Sequence, residues 1–173
     1  RQIVSENIRQ LPYDAASRTA FGSWQRRARI RLKQILGELP RKRVGFGLQR
    51  QVVEDGPRYL MERLQYWTRS GLQAVAYLLT PKRSPLPAPG VLCLQGTNLP
   101  LGSRLVVGLG GPDGLPNRNY GEELAQRGFV TIAPFYPTMG HYQPDLKALG
   151  YASGTMKAIW DNIRALDLLA ATP

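Results

Sequence analysis

Asn119-Tyr-Gly-Glu-Glu-Leu-Ala-Gln-Arg-Gly-Phe-Val-Thr-Ile-Ala-Pro134 is the stretch whose reading decides the fold, because its character changes in the middle. Tyr120 to Gln126 suits a short helix, and Gly128 stands where a left-handed C-terminal cap would close it. Phe129 to Ala133 is then a short apolar run of the kind a fully buried strand shows. Upstream, Val91 to Leu94 is a second such run. Downstream, Ser153 can cap a helix that continues through Ala170. Met156, Ile159, Trp160, Ile163 and Leu166 lie at helical spacing and form its expected buried stripe. Strand, helix, strand, helix implies parallel strands joined by crossover helices, so the class is α/β.

Further upstream, Tyr59–Thr68 and Leu72–Leu79 are rich in aromatic and aliphatic residues and flank Arg69-Ser70-Gly71, the pattern of a β-hairpin. Thr80 to Pro89 reads as a surface loop. A long loop with Gly96, Gly102, Gly108, Gly110, Gly111, Gly114, Pro100, Pro112 and Pro116 follows the Val91 run. At the other end, residues 1–19 are irregular. From Ala20, Phe21, Trp24, Ala28, Leu32 and Ile35 recur at helical steps until Gly37 and Pro40 end the helix. Residues 1–57 are therefore expected to be a basic helical extension docking through Trp24, and 58–173 the α/β domain.

The 173 residues carry a net charge of +11, and 43% of them are hydrophobic, enough for a sizeable core. The charge is uneven, with +9 in residues 1–70, densest at Arg26, Arg27, Arg29, Arg31, Lys33 and at Arg41, Lys42, Arg43. Such a field attracts nucleic acid, acidic polymers or an anionic surface, or is simply a solvated helix face. Against nucleic acid, this helix offers few aromatic stacking platforms, Trp24 with Phe21 one turn before it. No run of eighteen apolar residues exists, so no membrane-spanning helix is expected. The single cysteine, Cys93, sits in an apolar run and reads as a buried thiol. One histidine without clustered carboxylates cannot build a zinc site, and Gly108-Leu-Gly-Gly-Pro-Asp-Gly is no dinucleotide fingerprint, so no cofactor or metal is expected.

Three strings resemble the dienelactone-hydrolase and acetyl-xylan-esterase-like branch of the α/β-hydrolases: Val91 to Thr97, Asn119 to Pro134, and Gly150-Tyr-Ala-Ser-Gly-Thr-Met-Lys-Ala-Ile-Trp-Asp-Asn-Ile-Arg-Ala-Leu-Asp-Leu-Leu. Leu72 to Lys82 looks like that group's second strand. The similarity runs from about Tyr59 to the end. It implies the N-terminal part of an α/β-hydrolase sheet, a hairpin then parallel strands, and a serine carboxylic-ester hydrolase acting on a small ester in full-length form. In that fold the loop after the third strand gives one backbone N–H to the oxyanion hole. The matching loop here is Gln95-Gly96-Thr97-Asn98, with Thr97 as the donor and Gly96 allowing close approach; the plain alternative is a loop that only turns the chain. Related chains often have His at Gln95 and Asp at Phe135. An apolar Phe135 either reshapes the mouth of the site or packs under a loop.

No Gly-x-Ser-x-Gly elbow occurs in the chain. Gly150-Tyr-Ala-Ser-Gly has the wrong spacing, and Ser153 fits better as a helix cap. Ser103, Asp113 and His141 stand in a permissible order for a triad, but a structural or surface histidine is the simpler reading. The chain alone is thus expected to be inactive, with no catalytic residue of its own. A sheet stopping after four strands would leave a long edge, to be covered by a missing C-terminal half or another chain. The alternative function is a non-catalytic basic module for anionic partners such as nucleic acid.

Overall fold

The computed structural model describes residues 11–13, 16–40, 42–85, 87–97, 100–111 and 117–172, and the chain divides into two compact units between Glu38 and Leu39. Asn98, Pro112, Asp113, Gly114 and Pro116, all named above, lie outside the described residues, as do Arg41 and residues 1–10. No described helix is long and apolar enough to cross a membrane.

The first unit is built on α1 (Arg18–Leu36). Ser17 caps it by accepting a hydrogen bond from Ala20 N, and Gly37, at φ 91°, closes it with its N–H donating to Lys33 O. Both signals are local, so the helix was predictable to within two residues at its start. None of its residues is buried. Trp24 Nε1 donates to Leu11 O, and the Trp24 ring meets Tyr13 edge-on at 5.1 Å.

The second unit is a five-stranded mixed sheet with helices on both faces, an α/β fold. Its strands are β1 (Gln49–Asp55), β2 (Tyr59–Arg69), β3 (Leu72–Pro81), β4 (Gly90–Leu92) and β5 (Val130–Pro134), in the spatial order β1-β2-β3-β5-β4. The expected hairpin is β2–β3, registered from Tyr59↔Pro81 to Arg69↔Leu72. β4 and β5 are parallel, and the helices α2 (Ser103–Val106) and α3 (Tyr120–Gln126) lie in the crossover between them. β3 and β5 are antiparallel, so the sheet is mixed. β1 was not expected from the sequence. It lies within residues 1–57 and pairs antiparallel with β2, with all seven of its residues exposed. With β1 the sheet has five strands, and its other edge, β4, is only three residues long.

Alternation divides the core. Tyr59, Met61, Tyr77 and Leu79 face Val106, Val107 and Ala125 on the side of α2 and α3. Leu64, Tyr66, Ala76, Leu78 and Ile132 face Ala165 and Leu168 of α4 (Gly154–Ala170) on the other. β5, with partners on both sides and cover on both faces, has all five residues buried. Thr131 is tolerated there because its hydroxyl donates to Gly121 O at 3.0 Å. Gly121 itself lets α3 press close, since a Cβ would meet Val106 Cγ1 and O at 3.0 Å.

The buried side of α4 differs from the expected stripe. Met156 and Trp160 are buried, but Ile159 and Ile163 are only half-buried and Leu166 is 47% exposed. Lys157, Asp161, Arg164, Ala165 and Leu168 are buried instead. At 100° per residue the buried side lies about 120° round from the predicted one. The helix limits themselves are as expected, with Ser153 accepting from Met156 N.

Candidate functional site

β4 and β5 end side by side, and two loops leave from their carboxyl ends. In open α/β sheets ligands collect outside that edge. Cys93 N donates to Ile132 O at 2.8 Å, carrying the parallel pairing one residue past β4. The chain then turns through Leu94, Gln95, Gly96 and Thr97.

Gln95 is the anchored member of this turn. Its Oε1 lies 2.7 Å from Ser103 Oγ, and its Nε2 donates to Met139 Sδ at 3.3 Å. Ser103 Oγ also reaches Pro134 O, the last residue of β5, at 2.5 Å. The hydroxyl has one hydrogen to give, so these two acceptors share it. Ser103 thereby links the β4 turn, the start of α2 and the end of β5 at a fully buried point. Gly102, at φ 56°, brings its backbone against the Gln95 carboxamide, where a Cβ would stand 3.2 Å from Oε1. Tyr120 Oη adds a further tie by donating to Leu94 O. Gly96 and Thr97 themselves are exposed. Among the described residues a Cβ at Gly96 would meet only Arg118 Nη1, at an ordinary 3.7 Å, so none of them demands glycine there.

No hydrogen bond joins the other sequence candidates Ser103 and His141. Ser103 is enclosed and hydrogen-bonded to a carbonyl and a carboxamide, while His141 is exposed in the loop after β5. Phe135 packs: its ring lies 5.4 Å from Tyr77 in a tilted pair and joins the core on the α3 side. Cys93 is 2% exposed, and burial pushes its thiol up to about 11, so it is protonated at neutral pH. Among the described residues, no three His, Cys, Asp or Glu side chains gather as a metal site.

Beneath the β5–α4 loop lies a cluster that sequence reasoning missed. Lys157 Nζ sits 2.5 Å from both Asp161 carboxylate oxygens and 2.7 Å from Tyr142 Oη. Tyr142 Oη in turn reaches Asp161 Oδ2 at 3.3 Å and Gln73 O at 3.2 Å. Both charged side chains are sealed from water. Desolvation pulls Lys157 below the usual lysine range and pushes Asp161 above the usual carboxylate range, each opposed by the other's charge. The available signal was the four-residue Lys–Asp spacing, which places the pair on one helix face. Trp160 Nε1 donates to Thr68 O and Arg164 Nη2 to Val44 O, so this face of α4 is polar and tied to the sheet's periphery, with Arg164 Nε left buried and unpartnered among the described residues. The cluster pins the loop after β5, and with it one rim of the carboxyl edge.

No protein-family model and no curated protein matches this chain. Among solved structures, a candidate acetyl xylan esterase from Bacteroides fragilis superposes with a TM-score of 0.71 at 18% identity, covering 95% of this chain and 47% of that one. The fold is of α/β-hydrolase type. An acetyl xylan esterase from Paenibacillus sp. R4 (TM-score 0.51, 20% identity, 94% of this chain and 50% of that one) aligns over a similar extent. So does a glucuronoyl esterase from Solibacter usitatus (TM-score 0.58, 14% identity, 94% and 55%). At these identities the likeness is one of fold. The chain spans about half the length of the esterase structures it matches.

Proposed function

We propose that this chain is the N-terminal portion of a serine carboxylic-ester hydrolase, esterase or dienelactone-hydrolase-like, and that it carries no nucleophile or triad of its own. The observation that carries the reading is the coverage: nearly all of this chain matches about half of each esterase structure. The absence of Gly-x-Ser-x-Gly from the 173 residues agrees with it. So does β4, which among the described residues pairs with β5 alone. Beside it an apolar groove of about 330 Å³, lined by Ala88, Gly90, Val130, Leu166 and Leu169, offers a place for further structure to pack.

In this reading the remaining part of the protein adds a strand beside β4 and delivers the serine near the β4 turn. The serine attacks the ester carbonyl, the alcohol leaves, and water hydrolyses the acyl-enzyme. Thr97 N–H, with Gly96 beside it, is one oxyanion donor, and the residue after the serine supplies the other. The Ser103–Gln95 bond keeps that donor from reorganising during attack.

The test begins with the reading frame after Pro173, which on this proposal continues through a strand into Gly-x-Ser-x-Gly and later supplies an acid and a histidine. The 173-residue chain shows no turnover of 4-nitrophenyl acetate; joined to that continuation it does. Thr97→Pro, which removes one N–H, then lowers kcat roughly 10²–10³-fold. A frame without the elbow sinks the proposal, and an unchanged kcat sinks the role of Thr97.

A further inference from the structure

α1 has a feature the ester-hydrolase reading does not use. Six of its nineteen residues are basic, Arg18, Arg26, Arg27, Arg29, Arg31 and Lys33, and none is acidic. Trp24, Ile35, Ala28, Phe21 and Leu32 fall within about 80° of arc at the helical repeat, while Arg26, Arg29 and Lys33 lie outside that stripe. A stripe that narrow usually marks a buried face. Here it is open: Leu32 is 54% exposed, Ile35 64% and Phe21 39%. Tyr13 extends the stripe with a third aromatic ring, edge-on to both Phe21 and Trp24 and itself 62% exposed. The helix is too basic and too short of apolar residues to cross a bilayer.

We propose that α1 is an interfacial helix that lies flat on an anionic lipid surface. Three observations select this partner. A helix of low mean hydropathy, with most of its aromatic and aliphatic residues on one side and arginines on the others, Ile30 alone standing exposed among the arginines, suits the boundary between headgroups and acyl chains. Trp and Tyr favour that depth because each has an apolar body and a polar tip. The six cations complement acidic headgroups, whereas phosphates of a nucleic acid would satisfy the cations and leave Leu32 and Ile35 in water. Long arginine side chains can lay their stems along the apolar stripe while their heads reach the headgroups.

Vesicle flotation of the whole chain tests this, since aggregates sink while bound protein rises. The chain floats with vesicles of mixed phosphatidylglycerol and phosphatidylcholine, and at least tenfold less with phosphatidylcholine alone. Arg26→Gln with Arg29→Gln weakens binding roughly thirtyfold, at about 1 kcal/mol per cation. Leu32→Gln with Ile35→Gln, at exposed positions where Gln keeps the helix, weakens it at least tenfold. Far-ultraviolet circular dichroism confirms that each variant keeps its helix content. Three results overturn the proposal: no flotation with the anionic vesicles, equal flotation with the neutral ones, or a Leu32/Ile35 variant that binds like the parent. The last, together with salt-sensitive retardation of duplex DNA, would assign the helix to nucleic acid instead. None of these outcomes depends on esterase activity, so the two proposals stand or fall separately.

Discussion

Replacing Lys157 by Met conserves most of the side-chain volume and removes only the charge, which makes it the sharpest probe of the α4 cluster. The ammonium has two contacts of 2.5 Å to Asp161 and one of 2.7 Å to Tyr142, and both charged side chains are sealed from water. Its loss strands a carboxylate in the interior, and breaking a buried pair from one side costs about 3–5 kcal/mol. Asp161→Leu strands the ammonium and costs a similar amount. The double variant strands neither. Tyr142 Oη then keeps only Gln73 O, so the double variant falls within about 1–2 kcal/mol of the parent. Urea denaturation followed by tryptophan fluorescence measures all three, with Trp160 reporting from the same helix. Acid should partly rescue Lys157→Met. Burial already raises the Asp161 pKa, and the lost ammonium was the largest influence opposing that rise. An acid whose folded-state pKa is raised keeps its proton in the folded state between the unfolded value and the folded one. Stability therefore falls as pH climbs through that window, and the deficit is complete above it. The penalty accordingly shrinks from about pH 8 to about pH 5. Two single penalties below about 1 kcal/mol that simply add in the double variant would refute the reasoning, as would a deficit that grows on acidification.

Ser153→Ala removes the acceptor for Met156 N and lowers stability by about 1 kcal/mol, read as a lower urea midpoint with an unchanged slope. Gly121→Val drives a side chain onto Val106 O, a backbone atom that cannot swing aside, and costs about 1–3 kcal/mol. Gly45→Ala, where a Cβ meets no described atom within 4 Å, changes stability by less than about 1 kcal/mol in the same assay, most plainly as a small gain. Cys93 reacts with iodoacetamide only as the chain unfolds, so rapid labelling of the native protein at neutral pH would contradict its burial and raised pKa.

The elements legible in the sequence are those whose signals are local. Tyr120–Gln126 and the α4 boundaries follow from Gly128, at φ 99°, and from the Ser153 cap, each needing only its own few neighbours. The hairpin follows from two apolar runs and a short turn. β1 was illegible because Gln49–Asp55 buries no side chain: backbone pairing with β2 and the Arg50–Glu62 ion pair hold it, and neither leaves an apolar pattern in residue type. At the site, the turn after β4 follows from the apolar Val91 run that precedes it. The part of Ser103 in fixing it does not, since that depends on Pro134, thirty-one residues away.

The rotation of α4 has a different cause and a consequence. Periodicity assigns a buried side by counting apolar residues, whereas burial of a charge depends on whether a partner meets it. Lys157, Asp161 and Arg164 meet Tyr142, each other, Asp167 and Val44 O, so they occupy the sheet-facing side. That displaces Ile159, Ile163 and Leu166 to the opposite side of the helix. Leu166, 47% exposed, also lines the groove beside β4. An amphipathic helix with its ionic side inward and an aliphatic side outward is stable in isolation only at the expense of that exposed apolar surface. The arrangement makes physical sense when something apolar covers it. The groove next to the single-partnered β4 and the outer side of α4 are continuous through Leu166 and Leu169, so one further strand-and-helix layer would cover both. The helix the sequence misread is thus the same helix that gives the proposed continuation its place to pack.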